Sequence, residues 1–264
     1  MTKPGFIFIG PMKAGTTWVH DYLYSRGDIC LPKSTKESFF FDRNFDKGLL
    51  WYESHFAHFN EELYKCIVEV SPSYFTNQEA IKRIKSVLGN ISIVLTIREP
   101  IARSYSHYLH LRRYGYTNKA LKEAVLDFPE IIDASLYSKH LEQWKSILEN
   151  SSIFILNFDL LCRNQNEYAR EICRILDIDF ISPTDLSSDL LNAKNKAGVA
   201  PNQKLASFAR VTAARLKRYR AYYILNFFRK MGLRNLFYGK PGVNVPALDD
   251  SDRLFLEKRL ESLF

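Results

Sequence analysis

Between Gly10 and Thr17 the chain reads Gly-Pro-Met-Lys-Ala-Gly-Thr-Thr, two glycines bracketing a lysine ahead of paired threonines. Glycines let a backbone curl around an anion, and threonine hydroxyls add donors. A helix opening at such a place contributes unpaired amide N–H groups and a partial positive charge. The Gly10-to-Gly15 spacing matches the nucleotide loop G-x-x-x-x-G-K-[ST], but the lysine does not. That pattern puts lysine after the second glycine, where this chain has Thr16. Lys13 lies inside the loop instead, where its ammonium can reach an anion that the loop holds.

A second anion-seeking group occurs at Arg98-Glu99-Pro100-Ile101-Ala102-Arg103-Ser104-Tyr105-Ser106. Arg98 leaves the end of an apolar run, and Pro100 is a favoured first-turn residue of a helix. Ser106 falls two turns in, where its hydroxyl can face back toward the run's end. A guanidinium and a hydroxyl together make a phosphate clamp. Enzymes using Mg-ATP hold the metal through an acidic residue at a strand end; arginine there meets a phosphate rather than a metal. Asp159, after Ile153–Phe158, imitates such an acid. A P-loop small-molecule kinase using Mg-ATP is therefore one alternative. A nucleotide- or polyanion-binding module without catalysis is another.

The elements that must position these groups follow from periodicity. Gly5–Gly10, Cys66–Val70, Ile91–Ile97 and Ile153–Phe158 read as strands. Thr16–Arg26, Gln78–Leu88, Ile101–Tyr114, Tyr137–Leu148 and Glu167–Leu176 read as helices, the first with Trp18, Val19, Tyr22 and Leu23 as its apolar stripe. Alternating strands and helices predict an α/β fold of P-loop-like type, three layers α/β/α around a central parallel sheet. Additional C-terminal helices follow, at about Gln203–Met231 and Leu254–Leu263, after an exposed loop at Asn192–Pro201. Ligands of such sheets bind at the carboxyl ends of the strands. No linker interrupts the chain, so residues 1–264 are expected to form one domain.

Taken together, the two anion-seeking segments resemble the sulfotransferase family, of the carbohydrate, heparan-type and bacterial kind. The first is similar to its 5′-phosphosulfate loop, P-K-x-G-T-T-x, through Lys13, Gly15, Thr16 and Thr17. The second is similar to its 3′-phosphate motif, R-x-P-x-x-R-x-x-S-x-Y, through Arg98, Pro100, Arg103, Ser106 and Tyr108. Glu69-Val70-Ser71-Pro72-Ser73-Tyr74-Phe75 also resembles a segment of bacterial and Golgi carbohydrate sulfotransferases. The resemblance covers about the first two-thirds of the chain. It implies a metal-free transfer from 3′-phosphoadenosine 5′-phosphosulfate (PAPS). Lys13, Ala14, Gly15, Thr16, Thr17 and Trp18 would form the loop that binds the donor's 5′ end, and Arg98 and Ser106 would hold its 3′-phosphate. The implied acceptor is a carbohydrate or glycolipid, touched by Ser71 and Tyr74.

Sulfuryl transfer needs a base for the acceptor's proton and charge stabilisation at the leaving oxygen, which Lys13 can supply. Lys36-Glu37-Ser38-Phe39-Phe40-Phe41-Asp42 is similar to the E-x-H-F-F-D stretch of the heparan-type members, whose glutamate is the catalytic base. The resemblance thus implies Glu37 as base, with the apolar run behind it raising its pKa. Lys36 would orient the acceptor. Phe39 stands where histidine is usual and Val70 where lysine is usual, so the acceptor contacts are expected to differ and a heparan substrate is not implied. His20, expected to face outward from its helix, and His107, expected to pack or cap, are the other base candidates.

The composition fits this reading without selecting it. The 264 residues are 46% hydrophobic and 25% charged, with a net charge of +8 that favours anionic partners. Cys30, Cys66, Cys162 and Cys173 form no CxxC pair and are expected to be buried free thiols. No apolar run is long enough to span a membrane, and Gly10 and Pro11 interrupt the first apolar stretch. A chain starting at its natural Met1 would be cytoplasmic and bacterial, working near the inner membrane surface; a trimmed lumenal domain would look the same. Nucleic acid is not an expected partner. Residues 208–230 interleave Arg210, Arg215, Lys217, Arg218, Arg220, Arg229 and Lys230 with aromatics. That segment reads as a core helix with a solvated basic face, in preference to one resting on an anionic membrane. The resemblance further implies a late basic, glycine-containing loop over the donor, placed at Lys194–Gly198.

Overall fold

A computed structural model describes residues 3–149, 151–187, 200–218, 237–238 and 245–261. The chain gathers into two compact units, one of residues 1–99 and 134–193, the other of residues 100–133 and 194–264. In chain order the first unit begins β1 (Phe6–Gly10), α1 (Thr16–Arg26), β2 (Ile29–Cys30), α2 (Phe40–Arg43), α3 (Leu49–Glu53), β3 (Cys66–Val70), α4 (Gln78–Leu88) and β4 (Ser92–Ile97). The second unit supplies α5 (Pro100–Arg113), α6 (Leu121–Asp127) and α7 (Glu130–Asp133). The chain then returns to the first with α8 (Tyr137–Ile147), β5 (Ile153–Asn157), α9 (Phe158–Arg163), α10 (Gln165–Leu176) and α11 (Pro183–Leu186). α12 (Gln203–Arg218) and α13 (Asp250–Glu261) belong to the second unit.

The five strands form one sheet in the order β2-β3-β1-β4-β5, every pair parallel. Its strands are apolar on both faces because helices cover both. On one face Ile7, Ile9, Ile93 and Leu95 pack with Ile81 and Ile84 of α4 and Trp144 of α8. On the other, Phe8, Val68, Val94 and Leu156 pack with Trp18, Val19 and Tyr22 of α1 and Tyr168 and Ile172 of α10. The alternation of Ile7, Phe8 and Ile9 between the two clusters is the period-two pleat of a strand. This is the expected three-layer α/β/α arrangement. The fifth strand, β2, is two residues long and too short to leave a periodic signal.

In the second unit the core holds Arg103, fully buried, whose guanidinium donates to the carbonyl of Ile131. Tyr108 is buried and its hydroxyl donates to the Lys119 carbonyl at 3.0 Å. Leu256 and Leu260 give α13 its inward side. α12 departs from its expected role as a core helix. Ala206 is buried, but Leu205, Phe208 and Val211, spaced three apart on one side, are exposed. The rest of the basic segment, 219–230, and the loop 194–198 lie outside the described residues. Two of the four thiols are not buried: Cys66, at the start of β3, is half-covered and Cys162, on α9, is exposed. Among the described residues no helix is long and apolar enough to cross a membrane.

Candidate active site

The loop between β1 and α1 closes on itself through three residues in the left-handed region: Gly10 at φ 101°, Lys13 at 74° and Gly15 at 84°. The β1–β4 register shifts between Phe8 and Gly10, where Gly10 pairs with Leu95 at the start of the turn. Both glycines are also required by space. A Cβ on Gly10 would sit 2.7 Å from Pro72 Cα, and one on Gly15 would sit 2.7 Å from Leu161 Cδ2. Gly15→Ala is therefore expected to cost about 1–3 kcal/mol of stability, combining backbone strain with that clash. Urea unfolding reads it; an unchanged midpoint would mean the loop relaxes freely. Gly15 is the N-cap of α1, and no side chain caps it. The first-turn amides of an eleven-residue helix are thus left without side-chain acceptors, the arrangement that suits a bound anion.

Ala14 is fully buried beneath the loop. Trp18 is buried too, stacked on Tyr22 at 5.3 Å and edge-on to Tyr168, so its ring belongs to the core. Thr16 and Thr17 are half-buried at the helix start, and Thr17 Oγ1 accepts from Lys36 Nζ at 2.8 Å.

Arg98 follows β4 and reaches the same loop, its Nη1 donating to the Lys13 carbonyl at 2.9 Å. Its guanidinium lies over the Phe158 ring at 4.6 Å. Its backbone is held on both sides by Tyr137, whose hydroxyl donates to the Arg98 carbonyl at 2.8 Å and accepts from its N–H at 3.3 Å. Burial lowers the Arg98 pKa. No described residue accepts from its Nε or Nη2, so donors remain for an anion. The two segments that the sequence suggests as separate anion contacts are therefore joined by a hydrogen bond. Ser106 is half-buried on α5, in the second unit. His107, buried on the same helix, has its Nδ1 3.4 Å from Arg103 Nη1.

Glu37 sits on the turn between β2 and α2. Burial pushes its pKa up, against the lowering effect of Lys36, Arg43 and His20 and with a smaller upward push from Asp42. Burial pushes Lys36 the opposite way, down. The raised Glu37 pKa has the direction expected from its apolar surroundings. Thr35 Oγ1 donates to the Glu37 carbonyl at 2.8 Å and fixes the turn. His20 does not face outward as expected: its side chain is 15% exposed, with Nδ1 3.0 Å from Asp21 Oδ1. It is covered because it lies on the side of α1 facing the Glu37 turn, where it also acts on that carboxyl electrostatically.

Ser71 and Tyr74 are fully buried, and both hydroxyls donate to the Glu69 carboxylate, at 2.7 and 2.9 Å. Beside them a groove of about 430 Å³ is lined by Asp42, Arg43, Ser73, Thr76, Asn77 and Glu79. Asp42 Oδ1 and Ser73 Oγ are buried atoms with no hydrogen-bond partner among the described residues. Sequence reasoning missed these two. The signal was Asp42 at the end of the matched Glu37–Asp42 stretch, and a serine between Pro72 and Tyr74. Asp159, the acid that imitates a metal ligand, is exposed in the first turn of α9.

A family model described as the sulfotransferase domain matches residues 3–212. Among curated proteins, the membrane-associated sulfotransferase kil1 of Dictyostelium discoideum is 30% identical over 166 residues, 58% of this chain and 35% of its own. The human heparan sulfate glucosamine 3-O-sulfotransferase 3B1 is 29% identical over 150 residues, 53% of this chain and 37% of its own. The chain thus matches about a third of the length of these relatives. A crystal structure of a sulfotransferase from Alicyclobacillus acidocaldarius shares the fold, with a TM-score of 0.60 at 20% identity over 73% of this chain and 90% of that one.

Proposed function

This chain belongs to the sulfotransferase domain family, and we propose on that premise that it transfers the sulfuryl group of PAPS to a hydroxyl or amine of a carbohydrate acceptor. The observation that carries the donor assignment is the bond from Arg98 to the Lys13 carbonyl, which draws an arginine with spare donors against a glycine-cornered loop at a helix N-terminus. One catalytic domain running through both compact units is our reading, supported by a family match that spans them.

The donor supplies an activated sulfuryl group on a phosphate leaving group. The chain's own residues do the rest. The amides of Gly15, Thr16, Thr17 and Trp18 face the 5′ end, with Ala14 packing the loop from beneath. The Lys13 ammonium stabilises charge at the bridging oxygen. Arg98 and Ser106 hold the 3′-phosphate. Glu37 removes the acceptor's proton, its pKa raised toward the working range by burial. Lys36, fixed on Thr17 Oγ1, sits between the base and the donor loop and orients the acceptor.

A carbohydrate acceptor is favoured by the groove of carboxylate, hydroxyl and amide groups, whose Asp42 and Arg43 act electrostatically on Glu37, and agrees with the human relative's name. Asp42 and Ser73 line it, and their Oδ1 and Oγ are buried without a hydrogen-bond partner among the described residues. Ser71 and Tyr74 support that groove from behind, since their hydroxyls are occupied by Glu69.

Thermal-shift titration with 3′-phosphoadenosine 5′-phosphate tests the donor. Without magnesium it is expected to stabilise the protein, by about 2.7 kcal/mol at a hundredfold excess over Kd. Arg98→Ala is expected to weaken that nucleotide by about 30-fold, roughly 2 kcal/mol for a charge-assisted contact. Adenosine 5′-phosphosulfate, lacking the 3′-phosphate, is expected to lose far less. Equal losses, or a need for magnesium, would overturn the donor assignment. Label transferred to glycans from a PAPS donor tests the acceptor class.

A further inference from the structure

Glu69 lies fully buried in β3, and no step described so far uses it. Its Oε1 accepts from Ser38 Oγ at 2.6 Å, Ser71 Oγ at 2.7 Å and Tyr74 OH at 2.9 Å. Its Oε2 accepts from Tyr52 OH at 2.6 Å. Four hydroxyl donors suit a carboxylate, whose oxygens accept and do not donate when ionised. So complete a set of bonds lets a charged side chain stay in an interior where an unpaired one would be expelled.

Two of the hydroxyls have a second task. Ser38 Oγ accepts from the Phe40 amide at 3.1 Å, and Tyr74 OH from the Phe41 amide at 3.4 Å. Both amides belong to the first turn of α2. A hydroxyl that gives its hydrogen to Glu69 must turn its lone pairs elsewhere, here toward those amides. The Ser38 carbonyl is held as well, accepting from Asn44 Nδ2 at 3.0 Å. Ser38 follows Glu37 directly, and Thr35 fixes the Glu37 carbonyl from the other side. The backbone carrying Glu37 is therefore pinned on both flanks, and one of the two pins is anchored in β3.

We propose that Glu69 is a positioning residue for sulfuryl transfer: acting through Ser38, it fixes the turn that aims Glu37 at the acceptor. The proposal rests on Glu37 being the base. Sub-ångström aim matters, because a displacement of about 1 Å in a reacting group can cost around a hundredfold in rate. β3 is paired on both sides, with β2 and β1, so the anchor is rigid where the turn by itself would not be. The groups acting on Glu37 are Lys36, Arg43, Asp42 and His20, and those facing Glu69 are Tyr52, Tyr74 and His55.

The test compares Ser38→Ala, Glu69→Gln and Tyr52→Phe in the full chain. Turnover is read as sulfate released from PAPS to water and as label transferred to desulfated heparan sulfate. Ser38→Ala and Glu69→Gln are each expected to lower kcat by about tenfold or more, with the Kd for 3′-phosphoadenosine 5′-phosphate unchanged within about twofold. Tyr52→Phe breaks an equally short bond to the same carboxylate without touching the turn, and is expected to lose several-fold less. The acid limb of the kcat profile should also move to lower pH in Ser38→Ala, as water reaches Glu37. A merely structural defect would shrink the folded fraction and leave that limb in place. With Glu37→Gln inactive, a Ser38→Ala or Glu69→Gln variant at parental kcat overturns the positioning role, as does a Tyr52→Phe loss equal to that of Ser38→Ala. An active Glu37→Gln overturns the base assignment instead, and the proposal with it.

Discussion

Glu37→Gln is expected to lower kcat by about 10²–10⁴-fold while leaving affinity for the donor product nearly unchanged, as loss of a general base does. Glutamine keeps the size and hydrogen-bonding shape of the side chain but cannot take a proton. The Glu37 carboxyl is held up by burial against the pull of Lys36, Arg43 and His20. Its ionised form is the active one, so kcat should fall as pH drops through that raised value, at higher pH than an ordinary carboxylate would give. A parent profile whose acid limb sits in the ordinary carboxylate range, or a variant with most of its turnover, would move the base elsewhere.

The same shift has a consequence for stability. A carboxyl whose folded pKa lies above its unfolded value favours the folded state below the ordinary range, and that contribution is lost as pH rises through the raised value. At neutral pH the parent therefore carries the cost of a buried, ionised Glu37, and Glu37→Gln does not. The variant is expected to melt higher at neutral pH and to match the parent in acid. Activity lost together with heat stability would instead indicate general damage to the turn.

Lys13→Ala is expected to reduce kcat by about 10²–10³-fold, the scale of removing one preorganised charge contact from a leaving group. The substitution isolates the ammonium from the backbone. The Lys13 carbonyl that accepts from Arg98 is retained, and alanine tolerates a φ of 74° no better and no worse than lysine. Affinity for 3′-phosphoadenosine 5′-phosphate should fall by no more than about tenfold, because the charge at the bridging oxygen is fully developed only on the way to transfer. Single-turnover measurement of sulfate transfer separates the two effects. A kcat within about threefold of the parent would remove the ammonium from leaving-group stabilisation.

The parallel sheet was legible because its strands are short apolar runs ending at glycine, serine or arginine, with helical stripes such as Ile81 and Ile84 between them. What escaped was short or aromatic. β2 has only two residues, and α2 and α3 lie in a stretch where Phe40, Phe41, Tyr52 and Phe56 pack on every side, so no period of 3.6 emerges. The Gly10–Thr17 loop and Arg98 were legible as types and spacings. Their mutual hydrogen bond was not, since 85 residues separate its ends. Ser71 and Tyr74 looked like acceptor contacts because the Glu69–Phe75 segment resembles one of the carbohydrate sulfotransferases. Their enclosure behind Glu69 depends on what the rest of the chain lays over them.

From its residues alone this protein declares the chemistry it can offer: a curled basic loop, an arginine and hydroxyl pair, and an acid ahead of an aromatic run. Those are local properties, set by side-chain type and by spacing along one segment. Only the folded chain decides that Arg98 grips the carbonyl of Lys13, that His20 is covered, and that the hydroxyls of Ser38 and Tyr52 join those of Ser71 and Tyr74 on Glu69. Each of these depends on which strands become neighbours in the sheet. That choice is made by the burial of both sheet faces at once, a sum over the whole chain that no single segment contains.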